Sequence, residues 1–561
     1  MTETASMNAA NAAIYYHPDG FDTSRPKLMG RQAAGEAFLR AFVRHVDAET
    51  VYCCAKTSQH FADFQDQVAP FAGSKSTKWI PLATVSRLGE PGCLIYPGPD
   101  IADLAWARRH GDQRRFSLCG VTHTTASPAV MDSIGALLLA PVQPWDAVIC
   151  TSEAVKRTIR QVHDDWSDYL ADRVGARPRP VLRLPVIPLG VDCDQFAASA
   201  ETDAAGAGFR GELGIAEDDV AVLYVGRLSF HAKANPLPLY LGLEEAAKRS
   251  AKRLHLVLAG WFPNALIEKA FVDGAEQLCP SVNLIRLDGR EARVRRFIWF
   301  AADIFASLSD NIQETFGLTP IEAMAAGLPV VATDWNGYRD TVRDGIDGFM
   351  VPTRMPPSGF GHPFALRQLL RVDSYDRYIG HTSQCVAVDV EAAAAAIARL
   401  ATDAGLRRRM GAAGRKRARD TFDWSVVIRA YQDLWRDLAE RRQGETETVP
   451  PSPGLPPCPL RADPFRLFAG YPTAAIEPDT AVVLTPGRRA ADFPAISGVE
   501  LSAYARALFA GDEDCVRLLD HLGEHGETRI RTLMELFPAN ERGKILRTVA
   551  WLAKLDLIRF R

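Results

Sequence analysis

Apolar runs alternate along the chain with stretches whose apolar residues recur every three or four positions. AAIYYHPDG, over 12–20, reads as a short buried strand ending in a turn. MGRQAAGEAFLRAFVRHV, over 29–46, places Phe38, Leu39, Phe42 and Val46 at helical spacing. CLIYPG, FSLCGVTH and DAVICTS read as further strands, and the last runs straight into the helix candidate SEAVKRTIRQVHDDW. RLPVIPLGVDCDQF, over 183–196, closes this half with proline and glycine. Strands alternating with helices predict an α/β half with an open parallel sheet.

A second alternation follows. VAVLYVGRLS, a helix near 236–249, LHLVLAGW, a helix, VNLIRLDG, a helix and DIFASLSD precede DNIQETFGLTPIEAMAAGLPVVAT, which starts at Asp310. The pattern therefore predicts two doubly wound, Rossmann-like domains, 1–197 and 198–423, with a cleft between them. Ligands of such sheets sit beyond the carboxyl ends of the strands. LCGVTH, YVGRLS and the stretch from Asp310 all lie at such ends.

Three further segments complete the organisation. Residues 354–385 are long for a structureless loop and read as an inserted flap or an added helix. WSVVIRAYQDLWRDLAE opens a helical segment assigned to 424–443, and 444–495 begins with the Pro-rich GETETVPPSPGLPPCPLRADP, a spacer composition. Residues 496–561 contain three or four short helices and the strand DLIRF, a pattern expected of a small, mostly helical, winged-helix-like module.

Composition narrows the function classes. A chain of 561 residues, 47% hydrophobic and 24% charged, suits a globular protein of several domains. A net charge of −3 gives no electrostatic reason to expect nucleic acid. Ten scattered cysteines without a C-x-x-C pattern fit reduced thiols rather than disulfides or zinc. The polar N-terminus and the lack of a bilayer-length apolar run give a cytoplasmic expectation. LRRRMGAAGRKRARD, over 406–420, reads first as a solvated basic helix face. Its alternative is peripheral contact with an anionic membrane face or acceptor.

The stretch from Asp310 carries the chemistry. A turn with Gly317 leads into the helix candidate TPIEAMAA, flanked by Glu314 and Glu322. A helix start offers unpaired N–H groups, suited to an anion. Gly317 is expected to let the backbone approach a ligand closely. An ionised carboxylate accepts from vicinal hydroxyls. The stretch thus looks built to hold a phosphate together with hydroxyls. Arg227 and Lys233, just past a strand end, are cations able to hold a diphosphate. The Arg/Lys pair or the glutamate pair taken alone reads more readily as ordinary surface charge.

Taken together, these segments resemble the retaining GT-B glycosyltransferases of family 4, over roughly 12–440. The resemblance rests on glutamate, seven residues, glutamate in ETFGLTPIEAMAAGLPVVAT and on YVGRLSFHAKANP, VICTSEAVKRTI, VIPLGVDCDQF and DWNGYRDTVRDGIDGFMVP. It implies sugar transfer from a nucleotide donor, UDP- or GDP-linked, to a sugar, lipid-linked or protein acceptor in polysaccharide or glycoconjugate biosynthesis. It implies Glu322 on the ribose and Glu314 near the transferred sugar. Arg227 and Lys233 would then stabilise the departing diphosphate. The backbone of Phe316, Gly317 and Leu318 would face sugar or phosphate, with Gly226 and Gly260 beside the donor. His123 would bind the donor sugar or line the acceptor site, although a structural histidine is an equal reading of its position. Gly30 would belong to an N-terminal glycine loop, which here lacks the usual paired glycines. Lys233 stands slightly farther from Arg227 than is usual. No metal and no cofactor are implied, and 424–440 would cross back to the first domain. Rival readings are a phosphorylase, a sugar-nucleotide epimerase, or a non-catalytic scaffold contacting a protein partner through 496–561.

Overall fold

The computed structural model describes residues 11–22 and 30–561. They divide into two units, Met1–Cys458 and Pro459–Arg561.

The first unit holds two six-stranded sheets. Strands β1 (Ala13–Tyr15), β2 (Thr50–Ala55), β3 (Ser76–Pro81), β4 (Cys93–Tyr96), β5 (Ser117–Thr122) and β6 (Ala147–Cys150) lie in the order β3-β2-β1-β4-β5-β6. Strands β7 (Val220–Arg227), β8 (Leu254–Trp261), β9 (Asn283–Asp288), β10 (Ile304–Ser307), β11 (Val330–Thr333) and β12 (Gly348–Val351) lie in the order β12-β11-β10-β7-β8-β9. All neighbouring pairs are parallel. The strand order of each sheet reverses once, between β1 and β4 and between β7 and β10. Those switch points are where such sheets leave a crevice for a ligand.

The apolar runs are strands because helices cover both faces of the sheets. Every residue of β5, β6, β10 and β11 is buried. Strands β2 and β3, which the sequence pattern does not announce, complete one side of the first sheet. The edge strand β3 alternates exposed and half-buried positions up to Trp79 before the buried Ile80, so it lacks an apolar run. A fully buried ion pair holds the other side: Arg108 Nη2 lies 2.6 Å from Asp146 Oδ2. Asp146 also accepts from the N–H groups of Leu118 and Gln143, so its lone pairs are used.

The helix Trp424–Gly444 returns to the first sheet. Its Trp424, Ile428, Tyr431, Trp435 and Leu438 join the core built by Ile14, Leu39, Phe42 and Ile149. Each such side chain removed from water contributes roughly 1.5–3 kcal/mol. Gly190 lies under the first ring: a Cβ there would stand 2.4 Å from Trp424.

The stretch 444–495 is not one uniform spacer. Thr448 bonds to Gln143 and Val142, and Arg109 donates to the carbonyls of Val449, Pro450 and Pro457. Residues up to Cys458 thus belong to the first unit. In the first unit a further antiparallel pair, β13 (Thr353–Arg354) and β14 (Ala387–Val388), brackets the insertion. In the second unit β15 (Ala481–Leu484), β16 (Thr528–Arg529) and β17 (Ile558–Phe560) form an antiparallel sheet in the order β16-β15-β17. The helices Asp512–His525, Ile530–Glu535 and Arg542–Lys554 pack on it around Val482, Leu518, Val549 and Leu552. The module therefore recruits a strand from before residue 496.

Candidate functional site

At the β7/β10 switch point two loops are laced together. Strand β7 ends at Gly226, whose φ of +149° favours glycine, and Arg227. Gly260 at the end of β8 has no room for a side chain, because a Cβ would stand 1.9 Å from the Gly226 carbonyl oxygen. The loop after β7 then leans on the loop after β10. Asn311 Nδ2 donates to the His231 carbonyl (2.9 Å), and Ser309 Oγ to the Lys233 carbonyl (3.2 Å). The Asn235 N–H donates to Asp310 Oδ1 at 3.3 Å. Ser309, Asp310 and Asn311 escaped the sequence reading. Their signal was a polar run directly after a buried strand.

This lacing brings the predicted charges together. Lys233 Nζ lies 2.5 Å from Glu314 Oε2. Arg227 Nη2 donates to the Ala232 carbonyl (2.8 Å) and reaches Gln313 Oε1 at 3.4 Å. Burial works against ionisation of Glu314. The Lys233 charge and hydrogen bond, with the N–H groups of Phe316 and Thr315, overcome it and hold the carboxyl below its usual value. Glu322, mostly buried on the next helix, has no such partner. Burial pushes its pKa up to about 7, against the weaker pull of Lys233. Burial also pushes Asp310 up to about 7, against the Asn235 N–H.

The helix Leu318–Ala326 starts at Gly317, whose φ is +93°. The neighbour that requires this glycine is a ring. A Cβ on Gly317 would stand 2.1 Å from Tyr338, whose hydroxyl shares a 2.8 Å hydrogen bond with Ser307. Gly317 thus makes a close approach to the Tyr338 ring. Phe316 is buried, with its ring edge-on to Phe422 at 6.1 Å. Leu318 opens the helix. At the other end Arg415 Nη2 donates to the Ala326 carbonyl (2.9 Å), satisfying a terminal acceptor. Arg417 donates to the carbonyls of Asp340 and Thr341, and Arg419 pairs with Asp194. Part of the basic run 406–420 is therefore structural.

The first domain reaches the same loop. Thr315 Oγ1 donates to the His123 carbonyl (3.0 Å), and Ser152 Oγ donates to the Thr315 carbonyl (2.8 Å). His123 borders a small apolar cavity that also involves Gly35, Phe38 and Tyr431. Gly30 opens the helix Gly30–His45, but its surroundings, like residues 23–29 before it, lie outside the described residues. Among the described residues, no group of three His, Cys, Asp or Glu side chains is arranged to hold a metal ion. No helix among them is long and apolar enough to cross a membrane.

Two doubly wound sheets facing a cleft, with an Arg/Lys turn and a glutamate-flanked helix start at one switch point, define a GT-B architecture. Residues 208–358 match the family described as glycosyl transferases group 1, and over that span the chain is related to those enzymes. It is 34% identical over 225 residues to a D-inositol 3-phosphate glycosyltransferase of Geodermatophilus obscurus, covering 38% of this chain and 46% of the relative. A protein of the same description from Xylanimonas cellulosilytica is 26% identical over 300 residues, covering 53% and 60%. The chain thus spans about half the length of these curated relatives. Among solved structures, that of Anabaena HepE in complex with UDP-glucose is 17% identical with a TM-score of 0.47, covering 77% of this chain and 100% of that one.

Proposed function

We propose that this chain is a retaining, metal-independent glycosyltransferase that moves a sugar from a nucleotide-sugar donor to an acceptor hydroxyl. The observation that carries the reading is the convergence of Arg227, Lys233, Glu314 and the Gly317 helix start at one switch point. In this reading the bond between the anomeric carbon and the diphosphate oxygen breaks, and its electron pair leaves with the diphosphate. Arg227 meets that charge as a fork and Lys233 as a point charge. The acceptor oxygen attacks from the same face, and its proton passes to the departing phosphate oxygen. Glu314 holds the transferred sugar, and Glu322 accepts from the ribose hydroxyls. His123 lines the sugar or acceptor side. The two cations already supply the charge a metal would bring, so activity is expected to survive EDTA.

In this reading the donor is a UDP- or GDP-linked sugar, whose diphosphate Arg227 and Lys233 would hold. The acceptor, whether sugar, lipid-linked or protein, belongs to the first domain's side of the cleft. The test is a panel of UDP-, GDP- and ADP-sugars assayed for nucleotide release. Release from one of them supports transfer. Release of none, with phosphate-dependent sugar phosphate formation instead, would favour a phosphorylase. Glu322→Ala is expected to weaken donor binding while leaving the helix intact, since alanine is the best helix former.

A further inference from the structure

The insertion 354–385 folds into two helices, His362–Leu369 and Tyr375–Ser383. The second turns inward. Ile379 is fully buried against Ala126 of the first domain and Ala232 of the loop after β7. Gly380 rests on that loop, where a Cβ would stand 3.0 Å from the His231 Cβ. This helix anchors the insertion.

The first helix is turned the other way and buries no residue. Its inner side is largely polar. Arg367 Nε donates to Oδ2 of the buried Asp373 (2.7 Å), and His381 Nδ1 of the second helix lies 3.5 Å from the same oxygen. Gln368 Nε2 is shielded from solvent, and the Phe364 ring lies tilted to His381 at 6.2 Å. The outer side is apolar. Leu366, Leu369 and Leu370 recur at helical spacing on one face, each more than half exposed, Leu369 to 79%. Met355, Phe360 and Val372, just outside the helix, are also more than half exposed. A helix bordered by water does the reverse and turns its apolar stripe to the core. Clustered apolar exposure of this kind marks a face that meets a partner.

The charge pattern narrows that partner. Residues 354–372 hold three arginines and no acidic residue, in a chain of net charge −3. Arg354 and Arg371 are exposed and make no ion pair among the described residues. A second copy docked across a two-fold axis would set these arginines against each other. Anionic headgroups above acyl chains match the leucines and the arginines at once.

We propose that this face of the insertion docks on an anionic lipid surface. Phe360, Leu366, Leu369 and Leu370 enter the acyl boundary, and Arg354 and Arg371 meet the headgroup phosphates. The buried Ile379 then ties the docked face to the loop after β7.

The test is flotation of the full chain with phosphatidylcholine vesicles, with and without phosphatidylglycerol. The parent is expected to float with the anionic vesicles, and less so as salt rises. Leu366→Gln/Leu369→Gln, which keeps charge and helix propensity, is expected to bind about tenfold or more weakly. Arg354→Gln/Arg371→Gln is expected to lose about tenfold on the anionic vesicles and nothing on the neutral ones. Both variants are expected to melt as the parent does, since none of the four side chains is buried. Phe360→Ser, outside the helix, carries the same test should the glutamines loosen it. A parent chain that does not float with anionic vesicles overturns the proposal, as does binding that survives both the Leu366/Leu369 and the Phe360 changes. Self-association without vesicle binding, abolished by those changes, would instead give the face to a second copy and overturn it too.

Discussion

Lys233 Nζ and Glu314 Oε2 stand 2.5 Å apart, with the lysine side chain 31% exposed and the glutamate 9%. The pair is asymmetric: the lysine reaches solvent, while the carboxylate depends on it. Lys233→Met should therefore destabilise the fold more than the double change Lys233→Met/Glu314→Gln. The single loss should fall below the roughly 3–5 kcal/mol of a fully buried pair, since the lysine is partly hydrated. Urea unfolding of the three chains checks this. A double variant no more stable than the single one would show that Glu314 does not need Lys233.

Arg227→Ala should reduce turnover by about 10²-fold or more, the scale of losing one donor to a developing anion. Arg227→Lys should lose less, since the charge remains and the fork does not. Steady-state nucleotide release measures both. Near-normal turnover of the alanine variant would remove Arg227 from the diphosphate site.

Asp310 and Glu322 predict an unusual pH slope. Burial raises both to about 7. At moderately acidic pH the folded chain therefore holds protons that the unfolded chain has released. Their contribution to stability is full below the ordinary carboxyl values and is lost as pH rises through about 7. Stability should fall between about pH 5 and 7, by at most about 1.4 kcal/mol per pH unit for each group. Asp310→Asn/Glu322→Gln should flatten that slope in urea titrations. An unchanged slope in the double variant would place its origin elsewhere.

A chain ending at Cys458 should fold and bind nucleotide, whereas one ending at residue 443 should melt lower. The shorter chain leaves the buried Gln143 without the Thr448 N–H and carbonyl that pair with its side chain. It also strips Arg109 of three backbone acceptors. Leaving such groups unpaired costs about 1–3 kcal/mol each where they stay dry. Calorimetric melting compares the two. Equal melting temperatures would show that 444–458 lies on the first unit without stabilising it.

The second sheet was legible in the sequence because β7, β8 and β10 are apolar runs buried on both faces. Edge strand β3 was not, since Ser76 and Lys78 face water and only Ile80 is fully buried. The glutamate pair was legible because both residues fall in one short stretch around a helix start, and the structure keeps that helix. The reason for Gly317 was not: Tyr338 lies 21 positions later, and only the fold brings its ring to that turn. The insertion was visible as a long irregular stretch. Its inward helix was not placed, because Ala126, Ala232 and Ile379 are far apart in the chain. Composition marked 444–458 as spacer, yet its backbone polar groups are bonded to the first domain. Proline content says that a segment is neither helix nor strand, not that it is detached.

The returning helix Trp424–Gly444 has a consequence for the order in which the chain is assembled. The core around Ile14 and Phe42 is closed by Trp424, Tyr431, Trp435 and Leu438. On the ribosome those residues emerge only after all of β7 to β12. The first domain to be started is therefore the second to be finished. Until Leu438 appears, the nascent first sheet must wait with part of one apolar face uncovered, while the second sheet already has its strands.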